Sequence, residues 1–322
     1  MKKVTLALCG VGAFARRRIL PIINKIPQLE LVAIIDPKPN FYKIPEITSS
    51  INHYKSFEKF LNSDTADLIY ITTPNYMHFE QTFKSLESNM HVLCEKPIAL
   101  NSSDCKILIE KAIDHNLQLS VGHMLRFSPA IIFAKQTLQE GKIGSIEKIE
   151  ITFNYILTKE SRPWAFSKLL SGGGCLMDAG THCLDLIRFF IEGSFENIHA
   201  KMDYASNVDV ERKVECNFTV LNTKCFLNIC SDKEYLTSLV IRGDKGVIEI
   251  ENFAATWDFV RVKLSTCSNK DKFKQYTFDA SSVYMEQLNS LLHLISSKEF
   301  DYQIARDAFE NIKIIEQLYE VK

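Results

Sequence analysis

Val4-Thr5-Leu6-Ala7-Leu8-Cys9-Gly10-Val11-Gly12-Ala13-Phe14-Ala15 decides the fold. Val4–Cys9 is an apolar run of strand length. Gly10-x-Gly12-x-x-Ala15 follows at once, and a helical pattern runs from about Phe14 to Lys25. Strand, glycine turn and helix in that order suit a pyrophosphate. The first glycine permits a tight turn, the second lets backbone approach phosphate, and a small third residue lets the helix pack on the sheet. The helix start, with Ala13 and Phe14, adds N–H groups and a partial positive charge. An ordinary tight turn has the same local pattern, so the next strand matters. Leu29–Ile35 ends at Asp36, about 20 residues beyond the turn, where a carboxylate accepts hydrogen bonds from a ribose diol. Asp36 favours NAD, because it repels the 2′-phosphate of NADP. Lys38 leaves NADP open if Asp36 turns outward.

The same rhythm continues. Ser56–Leu61 reads as a helix, Leu68–Thr72 as a strand, Met77–Glu87 as a helix and His91–Cys94 as a strand. Ser102–Asn116 reads as a helix with Ser102 and Ser103 as caps, and Leu117–Val121 closes the series. Short links between alternating strands and helices predict a doubly wound parallel sheet over residues 1–121. After Gly122 the pattern changes. Pro129–Glu140 is helical, Ile146–Asn154 alternates as a strand, and a glycine triplet, Gly172-Gly173-Gly174, precedes another helix. From Asn197 to about Phe278 the chain reads as successive strands separated by turn residues such as Asn222 and Gly243-Asp244. Gln303–Tyr319 is a C-terminal helix. Residues 122–322 are therefore expected to form an α+β domain with a large open, mostly antiparallel sheet and helices on one face.

Composition narrows the function. The 322 residues suit two domains, and 46% of them are hydrophobic, enough for sizeable cores. Lys and Arg total 38 against 39 Asp and Glu, so no charge excess points to nucleic acid or an acidic membrane. Two lysines precede the first apolar run, but that run ends in a glycine turn and is shorter than the ~7–15 residues of a secretion signal. No run approaches the ~20 apolar residues of a membrane span. Nine cysteines, with no CxxC pair, predict reduced thiols in a cytoplasmic protein, mostly in the core. Cys175 and Cys183 flank the most chemically loaded segment and are the exceptions to follow.

That segment is Cys175-Leu176-Met177-Asp178-Ala179-Gly180-Thr181-His182-Cys183-Leu184-Asp185. On a regular helix Asp178, His182 and Asp185 fall at i, i+4 and i+7 and share one face. A polar stripe on an otherwise apolar helix faces water, a partner within the core, or a ligand. Hydride transfer from a secondary alcohol needs a group to take the hydroxyl proton and a donor to hold the developing negative oxygen. An imidazole suits the first task and an ammonium the second. A zinc centre is not expected. Cys175 and His182 are seven apart, with neither CxxC nor HExxH spacing.

Two further segments lie at predicted strand ends: Thr72-Thr73-Pro74-Asn75-Tyr76-Met77-His78 and Glu95-Lys96-Pro97. With GVGAFA before them and GGGCLMDAGTHCLD after them, in this order, the chain resembles the Gfo/Idh/MocA family of sugar and polyol oxidoreductases along essentially its whole length. The resemblance implies an N-terminal Rossmann domain and a C-terminal domain whose open sheet forms a homo-oligomer, a dimer or tetramer. It implies that Gly10, Gly12, Ala13, Phe14, Asp36, Thr73, Pro74, Asn75, His78, Glu95 and Lys96 surround NAD, or NADP. It implies that Lys96, Asp178 and His182 are catalytic, and that these three, with Arg126 and Trp164, meet the substrate. The division of proton transfer between Lys96 and His182 stays open. His78 either lines the cofactor loop or bonds local backbone. Arg126 reaches substrate or makes an interdomain salt bridge. Trp164 stacks on a sugar or packs. The expected substrate is a sugar, inositol or related polyol. Arg16-Arg17-Arg18-Ile19-Leu20-Pro21 resembles the nucleotide-sugar ketoreductases of the family, but that branch often has tyrosine where this chain has His182. A non-catalytic dinucleotide-sensing regulator is the reading from another class, and retention of Lys96 and His182 argues against it.

Overall fold

The computed structural model describes residues 3–38, 51–206, 208–266 and 273–320. Its contacts divide the chain into two units, Met1–Gly122 with Tyr284–Phe309, and His123–Val283 with Glu310–Lys322.

In the first unit, β1 (Val4–Cys9), β2 (Leu29–Ile35), β3 (Asn52–Tyr54), β4 (Leu68–Ile71), β5 (His91–Cys94) and β6 (Leu119–Val121) form one sheet in the order β3-β2-β1-β4-β5-β6. Every pairing is parallel. Strands buried on both faces must be apolar throughout, and β4 and β5 carry only Leu, Ile, Tyr, Val and Cys at their buried positions. Among the described residues four α-helices connect them: α1 (Leu20–Ile23), α2 (Phe57–Ser63), α3 (His78–Glu87) and α4 (Ser102–Asp114). Asn101, rather than Ser102 or Ser103, caps α4, its side chain accepting the Asp104 N–H at 2.9 Å. The strand order reverses beside β1, where ligands bind in sheets of this kind. Register makes that edge a row. Ile35 and Ile71 flank Cys9, Cys94 flanks Ile71, and Val121 flanks Cys94. The residues that follow, Asp36, Gly10, Thr72, Glu95 and Gly122, therefore emerge side by side.

The second unit begins with α5 (Pro129–Gln139) and β7 (Ile146–Ile156), followed by α6 (Lys168–Ser171) and α7 (Thr181–Phe190). Then come β8 (Phe195–Tyr204), β9 (Glu211–Val220), β10 (Thr223–Cys230), β11 (Asp232–Gly243), β12 (Gly246–Glu251), β13 (Phe259–Thr266) and β14 (Lys274–Asp279). The eight strands are ordered β14-β13-β12-β11-β7-β10-β9-β8. Only β7 and β10 pair in parallel. Alternation gives the sheet two faces. Ile149, Ile151, Val214, Cys216, Phe218, Leu227 and Ile229 are buried on one. Glu150, Thr152, His199, Lys201, Glu215, Asn217, Phe226 and Asn228 line a concavity of about 590 Å³ on the other. Phe133 of α5 stacks on Tyr276 and Phe278 of β14, with centroids 4.5 and 5.2 Å away.

Two helices complete the chain, α8 (Val283–Ser297) and α9 (Gln303–Glu320). The sequence reading places no element at α8, which packs with the first unit. Tyr284 meets Phe14 edge-on at 5.5 Å, and Gln287 Nε2 donates to Val121 O at 3.2 Å. A cut at 121/122 leaves these residues with the wrong partners. The chain returns to the first unit before α9 ends in the second. Among the described residues no helix is long and apolar enough to cross a membrane. All eight described cysteines are buried thiols, Cys175 and Cys183 included.

Candidate active site

The glycine turn has the conformation its sequence predicts. Gly10 takes φ +88°, and a Cβ there would lie 3.0 Å from Thr72 backbone and the Thr73 methyl group. Its N–H donates to Ile35 O at 2.8 Å, while its carbonyl accepts the Thr72 hydroxyl at 2.5 Å. The turn is thus pinned to β2 and β4. Gly12 is exposed, with nothing within 4 Å of a Cβ built there. That leaves room for phosphate to approach backbone. The helix after it opens as a π-turn, Ala15–Ile19, with no side-chain cap. Asp36 faces inward. Its Oδ2 accepts the Val11 N–H at 2.7 Å and its Oδ1 accepts the Lys38 N–H at 2.9 Å. An outward Asp36, the arrangement that would have favoured a 2′-phosphate on Lys38, is not the one observed. Phe14 spends its ring on Tyr284. These residues fit a dinucleotide: a pinned turn, open space before Gly12, and a carboxylate held beside it.

Along the same edge, the Tyr70 hydroxyl donates to Glu95 Oε1 at 2.7 Å. Burial pushes Glu95 up to about 7, although Tyr70 and the Lys96 ammonium pull it down. A Cβ on Gly122 would stand 2.7 Å from Glu95 Oε2, so glycine there makes room for the carboxyl. Lys96, half-buried, precedes a cis bond to Pro97. His78 is buried, with Nδ1 2.7 Å from Pro97 O and Nε2 2.7 Å from Thr73 O. Each nitrogen faces a backbone carbonyl, so the ring sits between the Thr73 loop and the Lys96-Pro97 loop, and in its neutral form it donates to one of them. Burial holds its pKa below the ordinary histidine value, against the two carbonyls. The Thr73 hydroxyl donates to Gln81 Oε1 at 2.6 Å. Pro74 begins the short turn that buries Asn75.

In the second unit the stripe expected on one helix face divides. Leu176–Gly180 is a π-turn, and α7 begins only at Thr181. The wider turn carries Asp178 out of α-helical register with His182 and Asp185. Asp178 accepts the Tyr155 hydroxyl at 2.9 Å and a fork from Arg162 at 2.6 and 3.2 Å. The carboxylate raises the Tyr155 pKa well above the ordinary value, after burial as the larger cause. Asp185 is buried and takes another fork, from Arg126, at 2.7 and 2.9 Å. Arg126 is only 8% exposed at its side chain. It is engaged in a buried pair within the second unit. Asn311 Nδ2 lies 3.4 Å from Asp185 Oδ1 and His123 Nδ1 3.7 Å from its Oδ2. Burial works to raise Asp185, but Arg126 and His123 bring it below the ordinary range. His182 is buried, edge-on to His123 with centroids 6.1 Å apart at 84°. Trp164 is half-buried on the short turn Pro163–Phe166.

Sequence reasoning missed Tyr70, His123, Tyr155 and Arg162. Tyr70 had a local trace. It stands two residues before Thr72 in a strand otherwise filled by aliphatic side chains. Among the described residues no three or more His, Cys, Asp or Glu side chains are grouped to hold a metal ion.

Comparison with known proteins agrees with this architecture. Residues 4–123 match the family described as Gfo/Idh/MocA oxidoreductases with an NAD-binding Rossmann fold, and residues 131–249 match the C-terminal domain of that family. A levoglucosan dehydrogenase of Pseudarthrobacter phenanthrenivorans is 28% identical over 46% of this chain and 39% of its own length. The matched stretch thus spans well under half of that relative. The glucose-6-phosphate 3-dehydrogenase of Bacillus subtilis is 26% identical over 72% of this chain and 68% of its own. A 3-ketoreductase from Actinomadura kijaniata, solved with NADP and TDP-benzene, superposes with a TM-score of 0.89 at 18% identity, covering 99% of this chain and 98% of the other. At that identity the likeness concerns fold. With both of its domains matched, the chain belongs to the Gfo/Idh/MocA family of oxidoreductases.

Proposed function

We propose that the protein is an NAD(P)-dependent oxidoreductase that interconverts a secondary alcohol and a ketone on a sugar, inositol or related polyol. One observation carries the reading: Asp36, Gly10, Thr72 and Glu95 emerge in one row at the sheet's switch point, with Lys96 next in the chain. Gly10, Gly12, Ala13, Asp36 and the Thr73–Asn75 loop would hold the dinucleotide, whose nicotinamide accepts or gives the hydride when bound. Asp36, already turned toward the glycine turn, supports NAD over NADP.

Lys96 is assigned to hold the reacting oxygen by its ammonium. His182 is assigned to take the hydroxyl proton in oxidation and return it in reduction. Asp178, which accepts hydrogen bonds from Tyr155 and Arg162, is assigned to support the His182 imidazole or to contact substrate. The activities of the relatives support a sugar as substrate. The outer face of the eight-stranded sheet, with half-exposed Phe226 in a polar concavity, supports self-association, which light scattering would measure.

The test follows absorbance at 340 nm with NAD+ and NADP+ against D-glucose, D-xylose, myo-inositol, levoglucosan, glucose 6-phosphate and UDP-glucose. Turnover on at least one is expected, reduced at least 100-fold in Lys96→Ala and His182→Ala. Full turnover in Lys96→Ala would sink the mechanism. Turnover restricted to UDP-glucose would favour the nucleotide-sugar branch.

A further inference from the structure

We infer that Glu211 and Tyr319 are positioning residues for this reaction, because they fix the start of the segment that carries Asp178 and His182. The inference rests on the proposed function, which makes those two side chains working groups.

A helix start leaves backbone N–H groups without partners. Cys175, at the cap position, supplies no side-chain bond. The acceptor comes instead from the first residue of β9. Glu211 Oε1 accepts Leu176 N–H at 2.8 Å, and both carboxylate oxygens lie 3.0 Å from Gly174 N. The Tyr319 hydroxyl of α9 donates to Oε1 at 3.0 Å. Glu211 is 1% exposed. A carboxylate so deeply buried is tolerated only with several donors, and a helix start is where its charge is best placed.

The same two residues explain the glycine triplet. A Cβ on Gly173 would stand 1.9 Å from the Tyr319 hydroxyl oxygen, and one on Gly174 would stand 1.9 Å from Glu211 O. These glycines admit β9 and α9. Gly174 O in turn accepts the Asp178 N–H at 3.0 Å, one bond from the clamp to the working residue. Lys168, before the triplet, lies 4.9 Å over the Tyr319 ring, so the tyrosine meets the chain before the triplet as well as within it. The clamp is made of backbone and side chains of the second unit. Its effect runs through the placement of Asp178 and His182, where a shift of about 1 Å costs on the order of 100-fold in rate.

The test compares the full chain with Glu211→Gln and Tyr319→Phe. Three measurements are made: kcat and KM on the sugar turned over in the panel, NADH affinity by fluorescence, and amide exchange of the 173–182 peptide by mass spectrometry. Glu211→Gln is expected to lower kcat about 10- to 100-fold. Tyr319→Phe, which keeps the ring and the carboxylate, should lower it several-fold. In both, the peptide exchanges faster, KM moves less than kcat, and NADH affinity stays within about twofold. If Glu211→Gln does not fold, Tyr319→Phe decides alone. Unchanged exchange in the folded variants overturns the inference with or without a known substrate. So does faster exchange with kcat within twofold of the parent while His182→Ala is inactive. An active His182→Ala instead removes the proposed function itself.

Discussion

Replacing Glu95 by Gln should make the protein more stable in alkaline solution and leave it unchanged in acid. The Glu95 carboxyl holds its proton to about 7 instead of the ordinary 4.5. Its folded pKa is raised, so between those values the folded state binds more protons than the unfolded state. Stability therefore falls as pH rises through that window, and the penalty is complete above about 7. Each pKa unit is worth ~1.4 kcal/mol, which puts the full penalty near 3 kcal/mol. Glu95 keeps some contact with solvent, so a gain of about 1–3 kcal/mol is the expectation for Glu95→Gln at pH 8, and near zero at pH 4.5. The amide keeps an oxygen to accept the Tyr70 hydroxyl and loses only the charge. The assay is urea unfolding followed by circular dichroism at several pH values. Tryptophan fluorescence is the wrong probe, because Trp164 and Trp257 both lie in the second unit. A stability difference that stays flat with pH, or a variant less stable at pH 8, would show that the Glu95 charge carries no such penalty. Turnover should fall even as stability rises, since a carboxyl costly to ionise is retained against the interest of the fold.

Asp185→Asn strands the buried Arg126 guanidinium and should cost about 3–5 kcal/mol, read by tryptophan fluorescence in urea. Because Asp185 titrates below the ordinary 3.8, its contribution in the parent is present above that value and lost as pH falls through the folded pKa. Gly122→Ala puts a methyl group 2.7 Å from Glu95 Oε2 and should destabilise by about 1–3 kcal/mol, seen as a lowered Tm. Asp36→Ser removes the carboxylate that faces the Val11 N–H and should shift the ratio of kcat/KM for NAD+ over NADP+ toward NADP+ by about tenfold, roughly 1.4 kcal/mol.

The first unit was legible because a parallel sheet writes itself locally. Its strands other than β3, whose Asn52–Tyr54 is not buried and carries no apolar run, are short and largely buried, they end in register, and the residue after each end is the one that matters. Asp36, Gly10 and Glu95 are found by that rule without any knowledge of side-chain contacts, whereas Thr72 falls inside the strand as read and follows its end only in the structure. What the rule cannot give is the neighbour on the adjacent strand. Tyr70 and Glu95 are 25 residues apart, and only the β4–β5 pairing brings the hydroxyl to the carboxyl. The helix α8 escaped for a related reason, since its place is set by Phe14, at the far end of the sequence.

The second unit was legible in its motif and not in its geometry. Spacing put Asp178, His182 and Asp185 on one face because spacing assumes a regular helix. The π-turn at Leu176–Gly180 breaks that assumption, and the two carboxylates take unrelated arginines. The glycine triplet did carry the missing information, in a form that sequence alone does not decode. Three glycines in a row mean that something approaches closely, and a ligand is the first candidate near catalytic residues. Here the approaching groups are Glu211 and Tyr319, 37 and 146 residues beyond Gly174 and Gly173 in the chain. A glutamate at the first position of a strand looks like a surface charge until its three donors are seen. Where small residues admit a buried carboxylate, the charge marks what the fold must hold still, and here that is the segment bearing Asp178 and His182.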